Sequence, residues 1–445
     1  MATSVLTSES LRIAVFTGTF PAVSETFVVR QINALIERGH AVDIFADMRG
    51  DANTPVDSHT SALLERVTYM ETPPETAPWE MPLWPLTART WPPGASKPVH
   101  NSVRFARALP KFLRCFAASP RLAFNLVRKR EHGYRAQSFS QIYRMARLLK
   151  TGHRYDVLHA HFGPVAESFR FARELWRAPF IASFHGYDFT TIPRKEGRTV
   201  YTKLFATADA VTANSQFTTQ RLIELGCPQS KLHCVPMGLD PAEFPFRERR
   251  HTSNQPVRIL VIARLVPIKG VAFALETIAK VKDSCSQIQL DIVGDGPLRS
   301  ELEHLARKLA LEGIVHFHGA LSGEPLQRLM DAAHLFLHLS VTIDGDQEGQ
   351  GLVLQEAQAA GLPVVATRHG AFTEGVLDGE SAFLVPERDP VSAAERLRYL
   401  IEHPEIWPTM GRKGRAFVDQ NFNIRRLTEK LEGLYRRVIR DFPRR

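Results

Sequence analysis

The sequence predicts an α/β protein made of two Rossmann-like, doubly wound sheets that face one another across a cleft. Three observations carry this. At 445 residues the chain is longer than one compact core usually holds. Short apolar runs alternate with helix-spaced segments along most of its length. The stretch 243–255, EFPFRERRHTSNQ, is polar, charged and without an apolar period, as a connection between two units is. The expected organisation is a first domain over residues 1–245, a second over 256–424, and a terminal amphipathic helix within 425–445 able to pack back on the first.

Residues 11–16, LRIAVF, read as a first buried strand leading into a turn-rich loop, Thr17-Gly18-Thr19-Phe20-Pro21. Ser24, Glu25 and Thr26 follow. Residues 27–36 then have helical spacing and stop before Gly39, and 41–46 form the next strand, which is a βαβ opening. Residues 72–98 are rich in proline and tryptophan and predict a long surface insertion. From 104 to 154 the chain is basic and apolar by turns, as in helices with one basic face. Such a face suits either water or anionic lipid headgroups.

Two strand-to-loop segments, 155–163 and 180–188, place His159, His161 and His185 where strands end, the position at which ligands bind in open α/β sheets. His159 and His161 share one face of a strand. Without a third ligand at a recognisable spacing, hydrogen-bonded structural roles fit them better than a metal. Residues 208–215 and 232–237 complete the strands of the first half.

The second half begins with a strand at 257–263 and a loop carrying Arg264 and Lys269 before Gly270, which puts two cations at a helix N-terminus, suited to a diphosphate. Further strands are expected at 288–293, 315–318, 335–339 and 382–385. The stretch 344–367, DGDQEGQGLVLQEAQAAGLPVVAT, is the most informative of all. A helix beginning near Gly351 has Glu348 at its mouth and Glu356 at least a turn inside. The unpaired amides of that mouth suit an anion, and the carboxylates can accept hydrogen bonds from hydroxyls. Asp344, Asp346, Glu348 and Gly349 also fit the first half of a calcium loop, but Gln355 stands where such a loop needs a bidentate glutamate.

Composition narrows the partners. A formal charge of +9 and a pI near 9.5 point to an anionic one. Four scattered cysteines fit neither a disulfide framework nor a zinc site, and a reducing cytosol is expected. The first residues lack the pattern of a cleaved signal, and no apolar run approaches the roughly 20 residues that span a bilayer. The expected place is therefore the cytoplasm, including its membrane face.

Arg264 with Lys269, the loop VGDGPL at 293–298, two glutamates separated by seven residues, and GLPVVAT at 361–367 together resemble the retaining family-4 glycosyltransferases of the GT-B fold. In the first half, Phe20-Pro21, SETFV at 24–28, HAHFG at 159–163 and SFHGYD at 183–188 resemble the branch that builds exopolysaccharides such as colanic acid.

The resemblance implies a nucleotide-sugar donor and a lipid-linked or polysaccharide acceptor. Arg264 and Lys269 would hold the donor diphosphate, and Glu348 the hydroxyls of its sugar. The amides of Gly349, Gln350, Gly351 and Leu352 would meet phosphate oxygens, and Glu356 the ribose. His185 would lie near the reacting centre, with Gly18, Ser24 and Glu25 on the acceptor and phosphate loop. It further implies retention of anomeric configuration and no metal or other cofactor. The adjacent glycines common in the wider family are missing from 18–21.

A non-catalytic nucleotide-sugar sensor is the alternative. A nucleic-acid partner is not expected, because the aromatic residues among the basic ones are irregularly spaced.

Overall fold

The computed structural model describes residues 10–22, 25–50, 58–70, 101–132, 136, 138–252, 255–285 and 287–443. Its first sheet has seven parallel strands: β1 (Arg12–Phe20), β2 (Ala41–Arg49), β3 (Val67–Tyr69), β4 (Val157–His161), β5 (Phe180–Phe184), β6 (Ala210–Ala213) and β7 (Leu232–Cys234). They lie in the order β3-β2-β1-β4-β5-β6-β7. The second sheet has six: β8 (Val257–Ile262), β9 (Ile288–Val293), β10 (Val315–Gly319), β11 (Leu335–His338), β12 (Val364–Thr367) and β13 (Ala382–Val385), in the order β10-β9-β8-β11-β12-β13. Each order reverses beside the sheet's first strand, which gives each sheet a topological switch point where ligands bind.

Strands buried on both faces read as unbroken apolar runs. The side chains of β4, β5, β6, β11 and β12 are buried throughout. Phe16 stacks on Phe45 and Phe169 at ring separations of 5.4 and 4.7 Å, which anchors the first core. The second core contains Trp407, fully buried with its Nε1–H donating to the carbonyl of Leu400 at 2.8 Å.

The helices that matter for the site are α1 (Thr26–Glu37), α2 (Asn101–Ala118), α3 (Pro120–Leu126), α4 (Ser140–Leu148), α5 (Leu352–Ala359) and α6 (Ile424–Asp441). α6 crosses back to the first sheet. Leu431, Leu434, Tyr435 and Val438 belong to the first core, and Arg38, just past the end of α1, holds Glu432 at 2.8 Å.

Two expectations need correction. Residues 17–20 are strand and not loop, because β2 also continues to Arg49 and pairs with them, Thr19 opposite Met48 and Phe20 opposite Arg49. Gly18 is therefore a strand residue, with room beside it up to Val165. The polar stretch 243–255 is not merely a solvated connection. Arg249 is buried and donates to the carbonyls of Asp331, Ala333 and Ala360 at 2.6–2.9 Å, pinning the segment to the second sheet's layer. Its sequence is polar because Arg249 bonds carbonyls while Arg247 and Glu248 pair with the charges of Asp331 and Arg412. The proline- and tryptophan-rich 72–98 and Ser24 lie outside the described residues.

Candidate active site at the seam between the sheets

The glycine-rich bend 344–351 forms the seam between the two halves. The Asp346 carboxylate accepts from the Thr190 hydroxyl. Arg221 donates to Gln347 at 3.1 Å, and the Gln350 amide exchanges two hydrogen bonds with the backbone of Met237, at 2.7 and 2.8 Å. Gly349 lies so close to the first half that a Cβ added to it would stand 2.4 Å from the carbonyl oxygen of His185. No side chain fits there. Gly351, at φ 72°, caps α5, and a Cβ on it would meet the ring of Phe372 at 2.3 Å.

At the mouth of α5, Glu348 is paired with Lys269, Oε2 to Nζ at 2.5 Å, with both side chains largely buried. Its other oxygen accepts from Ser340, and His338 lies 3.6 Å away. Burial opposes a charge here, but Lys269 and His338 outweigh it and hold the Glu348 carboxyl well below its ordinary range. The backbone is fixed as well: the Glu348 amide donates to Nε2 of His369 at 3.0 Å, and His369 Nδ1 faces Glu387 at 2.6 Å. With Nε2 accepting, His369 carries its proton on Nδ1 and donates it to Glu387. The amides of Gly349, Gln350, Gly351 and Leu352 donate to no group among the described residues, so the helix mouth keeps its capacity for an anion.

Across the seam, His185 Nε2 lies 3.1 Å from His161 Nδ1, and His161 stacks on His159, whose nitrogens meet Tyr435 and Ser183, each at 2.6 Å. Burial pushes all three imidazoles down, His161 to about 3, so they are neutral at physiological pH. His185 Nδ1 is buried without a hydrogen-bond partner among the described residues. The loop bearing it is shaped by Asp188, whose carboxylate collects the amides of Gly163, His185 and Gly186 at 2.8–3.1 Å, while Asn214 donates to the His185 carbonyl at 2.9 Å. Burial lifts Asp188 to about 6 against those three amides.

The bend thus brings Glu348, Lys269, Gly349, Gln350, Gly351 and Leu352 together with His185. Of the residues expected to bind the donor, Lys269 and Glu356 are engaged by other side chains of the chain. Arg264 is exposed. Lys269, expected to meet a diphosphate, is bound to Glu348. Glu356, expected to face a ribose, instead takes the guanidinium of Arg30 from α1 at 2.9 Å, and Arg30 also holds Glu243 at 2.9 Å and lies over the ring of Phe244. Burial raises the Glu356 carboxyl, partly offset by Arg30. Arg30 is a charge inside the apolar run of α1, the one sign in the sequence of that partner. His338, Ser340, His369 and Glu387 carry no such sign beyond lying near strand ends. The calcium reading loses further ground, since Asp346 and Glu348 turn to different partners, Thr190 and Lys269.

Glu25, beside Thr17 Oγ1 at 3.5 Å, is pushed up by burial to about 7. Its charge therefore costs stability as pH rises from the unfolded value near 4.5 through 7. Glu25→Gln is expected to raise Tm by about 3 °C at about pH 8 and to leave it unchanged at about pH 4 or below, as measured by differential scanning fluorimetry. Arg30→Met leaves Glu356 buried beside Glu243 without its cation. A loss of about 3 kcal/mol in denaturant unfolding is expected, recovered in large part by adding Glu356→Gln.

Comparison with known proteins decides the family. The profile described as "Glycosyltransferase Family 4" matches residues 100–243, and that described as "Glycosyl transferases group 1" matches 244–417. Over 432 residues the chain is 30% identical to the protein of Escherichia coli strain K12 assigned as the colanic acid biosynthesis glycosyltransferase WcaL, with 95% of this chain and 99% of that one covered. The chain is a family-4 glycosyltransferase. Another relative of this glycosyltransferase is the amylovoran biosynthesis glycosyltransferase AmsK of Erwinia amylovora, 30% identical over 95% of this chain and 100% of that one. The facing sheets are the GT-B fold. HepE of Anabaena, whose crystal structure contains UDP-glucose, superposes with a TM-score of 0.67 at 17% identity, covering 96% of this chain and 100% of HepE.

Proposed function

We propose that this glycosyltransferase moves a sugar from a nucleoside diphosphate to a hydroxyl of a lipid-linked or polysaccharide acceptor, in the building of a bacterial surface or exopolysaccharide. The observation that carries the reading is the seam itself. An ionised Glu348 and the open amides of α5 stand against the His185 loop, so a donor seated on the second sheet has its reactive end at the first. The relatives named for colanic acid and amylovoran support the exopolysaccharide role.

In this reading the donor diphosphate lies at the mouth of α5, with Lys269 and Arg264 as its cations. Glu348 accepts hydrogen bonds from the sugar's hydroxyls, and Nδ1 of neutral His185 bonds another. Glu356 reaches the ribose by exchanging Arg30 for it. The acceptor oxygen bonds to the anomeric carbon as the bond from that carbon to the phosphate oxygen breaks. Attack comes from the face the diphosphate leaves, so configuration is retained, and the acceptor's proton passes to a phosphate oxygen. Charge on the leaving group is met by Lys269, Arg264 and the helix mouth, the electrostatic role a metal fills elsewhere.

The test is nucleoside diphosphate release with a panel of donors, in the presence of lipid-linked and soluble glycan acceptors and of a chelator. Turnover that persists in the chelator, with product of unchanged anomeric configuration by NMR, is expected. Tight donor binding without transfer to any acceptor would instead favour a non-catalytic sensor.

A further inference from the structure

Among the described residues eight large apolar side chains are exposed, and five of them sit on α2 and α3. Phe105, Leu109, Leu113 and Phe116 are 55, 39, 56 and 37% exposed, and Phe124 is 53% exposed. Spacings of four, four and three residues put the first four in one stripe along α2. α2 does have a packed side, with Ala108 and Cys115 buried and Phe112 half-buried, so the stripe lies beside that side and faces outward. Phe124 joins it from α3, its ring 5.4 Å from Phe116 and 5.8 Å from Phe112. Single exposed apolar residues are ordinary, but a contiguous group of this kind marks an interaction surface.

The charge around the stripe identifies its partner. Residues 101–130 contain eight lysines or arginines and no aspartate or glutamate, against a net charge of +9 for the whole chain. Arg107, Arg114 and Arg121 are exposed beside the apolar residues. An apolar stripe with a purely cationic border matches an anionic lipid surface, where the rings enter the acyl boundary and the guanidinium groups meet phosphates. A second copy of this chain would bring two such cationic borders together, which disfavours it.

The helices are also tied to the C-terminal edge of the first sheet. α2 packs on α4, whose Arg144 makes a buried ion pair with Asp47 at 2.9 Å, close to the C-terminal end of β2. That is the edge of the sheet at which β4 and β5 present His161 and His185.

We propose that α2 and α3 are the membrane-docking surface of the protein, seating it on an anionic bilayer with the C-terminal edge of its first sheet near the lipid. The docking does not depend on the transfer reaction, so it is measured without substrates. The full chain is sedimented with vesicles of phosphatidylcholine alone and with about 30 mol% phosphatidylglycerol. Binding to the anionic vesicles is expected to be about tenfold stronger and to weaken with salt.

Phe105→Ser/Leu113→Ser/Phe124→Ser is expected to lower it about tenfold or more while the chain stays folded by circular dichroism, since all three side chains are more than half exposed. Arg114→Glu/Arg121→Glu, which leaves the apolar residues in place, should lower it as well. Equal binding to neutral and anionic vesicles, or unchanged binding by both variants, would overturn the proposal. So would a stripe-dependent dimer in analytical ultracentrifugation with no vesicle binding.

Discussion

Lys269→Ala is expected to lower kcat/KM by about 10³ for transfer from any accepted donor, because it removes a cation from the place where leaving-group charge develops. Stability is expected to fall too, by about 3–5 kcal/mol, since Glu348 would remain buried without its partner. The two effects separate in the pair Lys269→Met/Glu348→Gln, where no buried charge is stranded: unfolding should return toward that of the native chain while turnover stays lost. The ion pair also has a pH signature. The Glu348 carboxyl is depressed in the folded chain, so the stability it contributes is present above the ordinary carboxylate value near 4.5 and is lost as pH falls further. Denaturant melts of the native and doubly substituted chains across that range should therefore converge at acid pH. A Lys269→Ala chain with near-native turnover would remove the lysine from the donor site.

Gly349→Ala is expected to cost about 10² in kcat, a figure typical of a displacement of about 1 Å at a reacting centre. The added methyl would meet a carbonyl, not a side chain able to swing aside, so the seam must open by the amount of the overlap. Donor affinity, measured by calorimetry with a panel of nucleoside diphosphates, should change far less, because the cations and the helix mouth belong to the second sheet alone. Gly186→Ala provides the contrast: a Cβ there meets nothing within 4 Å, and activity should be nearly unchanged although His185 is its neighbour. Equal losses in both variants would show that the seam does not set the distance between donor and first half.

Acid stability follows from the histidines. His159, His161, His185, His233, His334 and His338 are all pushed down by burial, while burial pushes Glu25, Asp188 and Glu356 up. On unfolding in mildly acid solution the histidines take up protons and the three carboxyls release them. The histidines are more numerous, so stability is expected to fall as pH drops below about 6.5, by up to about 4 kcal/mol per unit at the steepest. The check is urea unfolding at several pH values.

Much of the fold was legible because its signals are local. Apolar runs such as 180–184 and 364–367, short and flanked by proline and glycine, read as strands buried on both faces, and a helix such as 27–36 declares itself by its spacing and by the glycine after it. The α5 mouth was legible for the same reason: Gly351 and the apolar residues after it fix where the helix starts, and Glu348 stands three residues before that glycine. The continuation of β1 through Phe20 was not legible, because Gly18 and Pro21 look like turn chemistry and only pairing with β2 makes 17–20 a strand. Nor was the buried role of Arg249, whose three carbonyl partners come from residues more than 80 positions away.

For the site, the sequence by itself determined which residue types stand at each strand end and helix mouth, since a helix's open amides and a carboxylate a few residues away are consequences of local geometry. It could not determine pairing. That Lys269 neutralises Glu348 and that His369 and Glu387 fix the bend depend on how the loops of the second sheet are brought side by side, and that Arg30 occupies Glu356 and that Gly349 must be glycine because the His185 carbonyl touches it depend on where two separately wound sheets meet. The physical reason is range. Hydrogen bonding along a helix or strand acts between near neighbours in the chain, whereas the charge pairs and close contacts of the seam act between residues up to about 330 positions apart, brought together only once both cores have formed.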